Sequence, residues 1–140
     1  PASQADGLSI ERVYVHVVNP TGDPARDEAT RSALADAFAV KAGGSFHGGG
    51  LATNAPTSPV LLVPQMKAKA VLIAVAQNDD KQDTTVKEKV KAAFDAQKIP
   101  AEVEVYAADH GWCPPDSQVF NQAEADRAWS RLLATFKAGL

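Results

Sequence analysis

The chain has 140 residues, 45% of them apolar and 22% charged, with a formal net charge of −3. That is the length of one domain with enough apolar material for a core. Scattered Lys and Arg under a negative balance speak against a nucleic-acid or anionic-membrane partner. The longest apolar run, AVLIAVA at 70–76, is too short for a bilayer, and no charged start with an apolar stretch opens the chain as a secretory signal would. Cys113 is the only cysteine, which excludes an internal disulfide and a cysteine-built zinc site. The expected compartment is the cytoplasm.

Residues 1–9 are small and polar and read as a loose arm. RVYVHVV at 12–18 is rich in β-branched residues and predicts a strand. NPTGDP at 19–24 is dense in turn formers. Asp23 and Pro24 suit an N-cap and a first helical position, for a helix to about Phe38 with Ala29, Ala33, Leu34, Ala37 and Phe38 on one face. KAGGSF at 41–46 predicts a short strand running into HGGG at 47–50, and 51–66 a loop with three prolines.

KAVLIAVA at 69–76 is apolar without alternation, as a central strand covered on both faces must be. QNDDKQD is expected to turn the chain. Thr85 and Glu88 have capping-box spacing, ahead of a helix with Val86, Val90, Ala93 and Phe94 inward. AEVEVY at 101–106 alternates, predicting an edge strand with Val103 and Val105 inward and Glu102 and Glu104 outward. After a loop at 107–120, Asn121 and Glu124 form a second capping box, and the last helix is expected to bury Trp129, Leu132, Leu133 and Phe136.

Strands alternating with helices imply a single α/β domain over 1–140, a three-layer sandwich whose mostly parallel sheet has about four strands. Ligands of such sheets sit beyond the carboxyl ends of the strands. HGGG, QNDD and ADHGW fall there.

Among these, Asp79 and His110 follow neighbouring strands and can meet over the sheet edge, where the acid would fix the imidazole tautomer and stabilise the imidazolium. Acid before histidine is the α/β-hydrolase chain order. The plain alternative is a loop-capping Asp79 and a His110 bonded to backbone, and Asp80 competes as the acid because spacing does not set the register of NDD. Trp112 either walls a substrate pocket or plugs the space between loop and last helix. Cys113 as a nucleophile is disfavoured, three residues from His110 on the same proline-flanked loop. His47 either donates to a substrate or serves the local turn, with the glycines permitting tight backbone. His16, His47 and His110 lack metal-ligand spacing, and GGG at 48–50 lacks the dinucleotide context, so neither a metal nor a cofactor is expected.

SFHGGGLAT (45–53), PTSPVLLVPQMKAKAVLIAVAQNDD (56–80), AEVEVYAADHGWCPPD (101–116) and VFNQAEADRAWSRLLATFKAGL (119–140) resemble the dienelactone hydrolase family. The resemblance spans about residues 41–140. It implies a shortened α/β-hydrolase fold, Asp79 as the acid and His110 as the histidine of a triad, and acyl transfer on lactones and small esters. The family's nucleophile sits in a G-x-C-x-G or G-x-S-x-G elbow upstream of the SFHGG segment. The corresponding turn here, NPTGDP, has no serine or cysteine and no paired glycines; Thr21 is its only hydroxyl. Ser45 has no glycine two residues on and lies in the following strand.

The leading expectation is therefore a dienelactone-hydrolase-like hydrolase of small esters or lactones that keeps an Asp79–His110 pair, with His47 and Trp112 at the substrate. Its rivals are a non-catalytic binding domain built on the hydrolase fold, and a fragment completed by another chain. A strand at 12–18 left at the sheet edge would be a template for association, so a homodimer is expected.

Overall fold

The computed structural model describes residues 41–140. The expected arm at 1–9, strand at 12–18, turn at 19–24 and helix at 24–38 lie outside the described residues, as do His16, Thr21 and the edge on which the dimer expectation rests.

Strands β1 (Ala42–Phe46), β2 (Ala70–Ala76) and β3 (Ala101–Tyr106) form a parallel sheet in the order β1-β2-β3. A 3-10 segment over Pro59–Gln65 lies in the first connection. Helices α1 (Gln77–Gln82) and α2 (Thr85–Ala96) link β2 to β3, and α3 (Gln122–Gly139) closes the chain.

Every residue of β2 is buried, as its unbroken apolar run requires. Its two faces differ. Val71, Ile73 and Val75 join Val90, Phe94 and Ile99 in a cluster under α2, to which Val103 and Val105 of β3 add. Ala74 and Ala76 meet Tyr106, Ala108, Trp112 and Ala128 under α3. Large side chains thus fill the α2 layer, while alanines on the α3 side leave room for two aromatic rings. Together the layers make the expected α/β sandwich.

β3 follows its predicted alternation, although Glu102 and Glu104 are half-buried rather than free. They face α3, where Glu102 accepts from Arg131 and Glu104 from Arg127. The Arg127 guanidinium also lies 4.5 Å from the Tyr106 ring centroid.

Three expectations are corrected. QNDDKQ is the helix α1, begun directly from the end of β2, rather than a turn. The N-cap of α2 is Thr84, and Asp83 satisfies the Thr85 N–H at 2.9 Å, so Thr85 and Glu88 form no capping box. Trp129 is 52% exposed, because the inner stripe of α3 runs through Ala128, Thr135 and Gly139, with Leu132 half-buried beside them. That stripe must pass small residues: a Cβ on Gly139 would stand 2.5 Å from the Ala42 Cβ, and one on Gly44 would stand 2.6 Å from Leu132 Cδ1. A tryptophan has no space there, so the helix turns it outward. The cap at Asn121 is as expected, its side chain accepting from the Glu124 N–H at 3.1 Å.

Candidate active site

Strand register sets the site. Phe46 pairs with Ala74, and Ala76 with Tyr106. His47 therefore starts one residue past the end of β1, Asp79 three past β2 and His110 four past β3, all at the carboxyl edge of the sheet.

Asp79 Oδ2 stands 2.7 Å from His110 Nδ1. A carboxylate only accepts, so Nδ1 carries the proton and Nε2 is left as the basic nitrogen. Asp80 is not the carboxylate at His110: it takes Lys87 Nζ on both oxygens, at 2.7 and 2.8 Å. The helical start of α1 explains the choice, since it turns consecutive side chains roughly 100° apart and sends the two aspartates to different neighbours.

The loop carrying His110 is tied down at successive points. The Gln77 N–H donates to the Ala108 carbonyl at 3.0 Å, and Gln77 Nε2 donates to Asp109 Oδ1 at 3.1 Å. Asn78 Oδ1 accepts the His110 N–H at 2.9 Å, and the Asn121 N–H donates to the Trp112 carbonyl at 3.0 Å. Gly111 follows at φ +99, a backbone that a side chain would strain. Gln77, Asn78 and Asp109 were not singled out in the sequence, where QNDD and ADHGW mark the region but not their partners.

Trp112 is fully buried and plugs the space beneath the loop, stacked on Tyr106 at 5.3 Å, so it does not wall a substrate pocket. His47 lies over it, with centroids 4.3 Å apart in an edge-on arrangement, and its ring is 5.6 Å from that of His110. Burial, and then the neighbouring His110, hold the His47 imidazole below the usual histidine range, with Asp79 opposing. His47 is thus a neutral ring at pH 7. Its Nε2, Trp112 Nε1 and the Tyr106 hydroxyl are buried without a hydrogen-bond partner among the described residues.

Cys113 packs against the aromatic cluster, and burial pushes its thiol up, which is the reverse of what a nucleophile requires. No described serine or cysteine hydrogen-bonds to His110. Among the described residues no three His, Cys, Asp or Glu side chains gather as a metal-binding group. No described helix is long and apolar enough to cross a membrane.

Residues 29–140 match the model of the dienelactone hydrolase family. A crystal structure from Klebsiella pneumoniae subsp. pneumoniae MGH 78578, of a protein provisionally named a dienelactone hydrolase, superposes with a TM-score of 0.57 at 24% identity. The superposition covers 67% of this chain and 40% of that one, so this chain spans about two fifths of its structural neighbour. A search of curated proteins found no match.

Proposed function

The chain belongs to the dienelactone hydrolase family, and from that premise we propose that Asp79 and His110 are the acid–base half of a site that hydrolyses small carboxylic esters or lactones. The observation that carries this reading is the 2.7 Å contact between Asp79 Oδ2 and His110 Nδ1. It leaves Nε2 as the proton acceptor on a ring whose side chain is 49% exposed.

No described serine or cysteine stands at His110, and in this reading the reacting nucleophile is water. His110 Nε2 takes a proton from the water as its oxygen attacks the acyl carbon. Asp79 holds the imidazolium that forms. As the tetrahedral intermediate collapses, the bond to the alkoxy oxygen breaks and Nε2 returns the proton to that oxygen. The products are an acid and an alcohol, joined in one molecule when the substrate is a lactone.

That no serine or cysteine stands at His110 among the described residues also supports a second reading, in which the domain keeps the fold and binds without turnover, or completes its site with another chain. Turnover of a chromogenic short-chain ester by the full chain separates these readings. The hydrolytic reading expects activity that is lost in His110→Ala and in Asp79→Asn. Turnover that survives both substitutions, or its absence in the wild-type chain, sinks it.

A further inference from the structure

This inference rests on the reading of Asp79 and His110 as an acid–base pair. We propose that His47 is a positioning residue for His110: its ring, wedged between Trp112 and His110, limits the swing of the His110 imidazole and keeps Nδ1 on Asp79.

The backbone gives the first reason. At the end of β1 the chain adopts left-handed geometry on His47, at φ +56. The next three residues are glycines, which take that geometry without steric conflict, yet Gly48 and Gly49 keep ordinary φ and only Gly50 is positive. Backbone strain held by a residue with a side chain, when glycines stand beside it, indicates that the direction of that side chain matters.

Packing gives the second. Tyr106 and Trp112 are wholly buried and stacked, and His47 stands edge-on to Trp112. The His47 ring is therefore seated on a fixed base. His110 is the outermost ring of this series, tilted 49° from His47. Its side chain is about half exposed and has, among the described residues, one polar tether, Asp79. A single hydrogen bond leaves a ring free to rotate about its two side-chain torsions, and a wall on one side removes part of that freedom.

Charge gives the third. Burial keeps His47 neutral, so it adds no positive charge beside the imidazolium that His110 must become. A lysine or arginine at this position would wall the ring but oppose its protonation.

The test uses the full chain and two variants. His47→Gly relieves the backbone and removes the wall; His47→Phe keeps a ring of similar shape. Nitrogen-15 NMR of the His110 ring reads the tautomer without reference to activity. The wild-type chain and His47→Phe are expected to hold His110 in the Nδ1–H form, and His47→Gly to show a mixture of both tautomers. His47→Gly is also expected to unfold at an equal or higher temperature, since the strain is gone, while kcat for the ester falls about 10- to 100-fold with little change in KM. An unchanged tautomer in His47→Gly overturns the proposal, and so does a mixture in His47→Phe. If the wild-type chain turns over no ester but the tautomer responds as described, the positioning role stands and the hydrolytic reading fails. If ester is turned over and the His47→Gly tautomer is unchanged, the reverse holds.

Discussion

The side-chain oxygen of Asn78 accepts two backbone donors at once, the His110 N–H at 2.9 Å and the Asp79 N–H at 3.1 Å. One amide thereby joins the loop after β3 to the start of α1 and fixes the distance between the two residues of the pair. Its two acceptor lone pairs make this possible. Asn78→Ala leaves both donors to water. It is expected to lower stability by about 1 kcal/mol, measured by urea unfolding, and to reduce ester turnover by about tenfold through misplacement of the ring. Stability and turnover both at wild-type levels would show that the loop holds its position without this bond.

The two adjacent aspartates are expected to behave differently. Asp79→Asn replaces the acceptor of the Nδ1–H with a group that can donate, favouring the other tautomer, so turnover should fall roughly 10³- to 10⁴-fold. Asp80→Asn loses an ion pair with Lys87 at the flank of the site and should keep turnover within about twofold, with a stability change of about 1 kcal/mol or less. Ester kinetics of the two variants side by side decide the matter, and equal losses would refute the assignment.

Gly139 offers a test of packing with an unusual sign. In an exposed helix, Gly→Ala stabilises by about 1 kcal/mol. Here the added Cβ would stand 2.5 Å from the Ala42 Cβ and 3.0 Å from the Lys41 carbonyl oxygen, neither of which is the end of a flexible side chain. Gly139→Ala is therefore expected to destabilise by about 1–3 kcal/mol, read as a lower unfolding midpoint. A raised midpoint would mean that the end of α3 is not seated on β1.

Stability should fall through His47 in the window that opens as pH drops through about 6.5. Its folded-state pKa lies below the ordinary 6.5, so the unfolded chain binds the proton first and acid favours unfolding across that window. Above it the ring is neutral in both states and contributes no slope. His47→Phe should flatten this part of the profile, measured as thermal midpoint against pH. A separate loss is expected at more acid pH. The Arg131 hydrogen bond holds Glu102 below its usual 4.5, so its stabilisation is present above that value and is lost as pH falls through the lower folded pKa.

What the amino-acid order determined by itself is the layer plan and the neighbourhood of the site. The unbroken run 70–76 could only be a strand covered on both faces, the alternation of 101–106 placed Val103 and Val105 inward, and the apolar spacing of 86–94 faced α2 toward the sheet. Local period is a backbone property, and it survives any arrangement of the rest of the chain. The resemblance of 101–116 and 56–80 to a hydrolase family named Asp79 and His110. Spacing alone left Asp80 equally eligible, and tertiary structure decided between them: α1 starts without a turn and directs Asp80 to Lys87. Tertiary structure also decided that Trp129 faces out, because Gly139 and Gly44 bring α3 too near β1 for a large ring. It made Asn78 the clamp of the loop, set His47 edge-on to Trp112 and buried Trp112 beneath the loop. These roles depend on distances between segments about thirty or more residues apart, which are set by strand register and layer packing, and no local pattern in the chain encodes them.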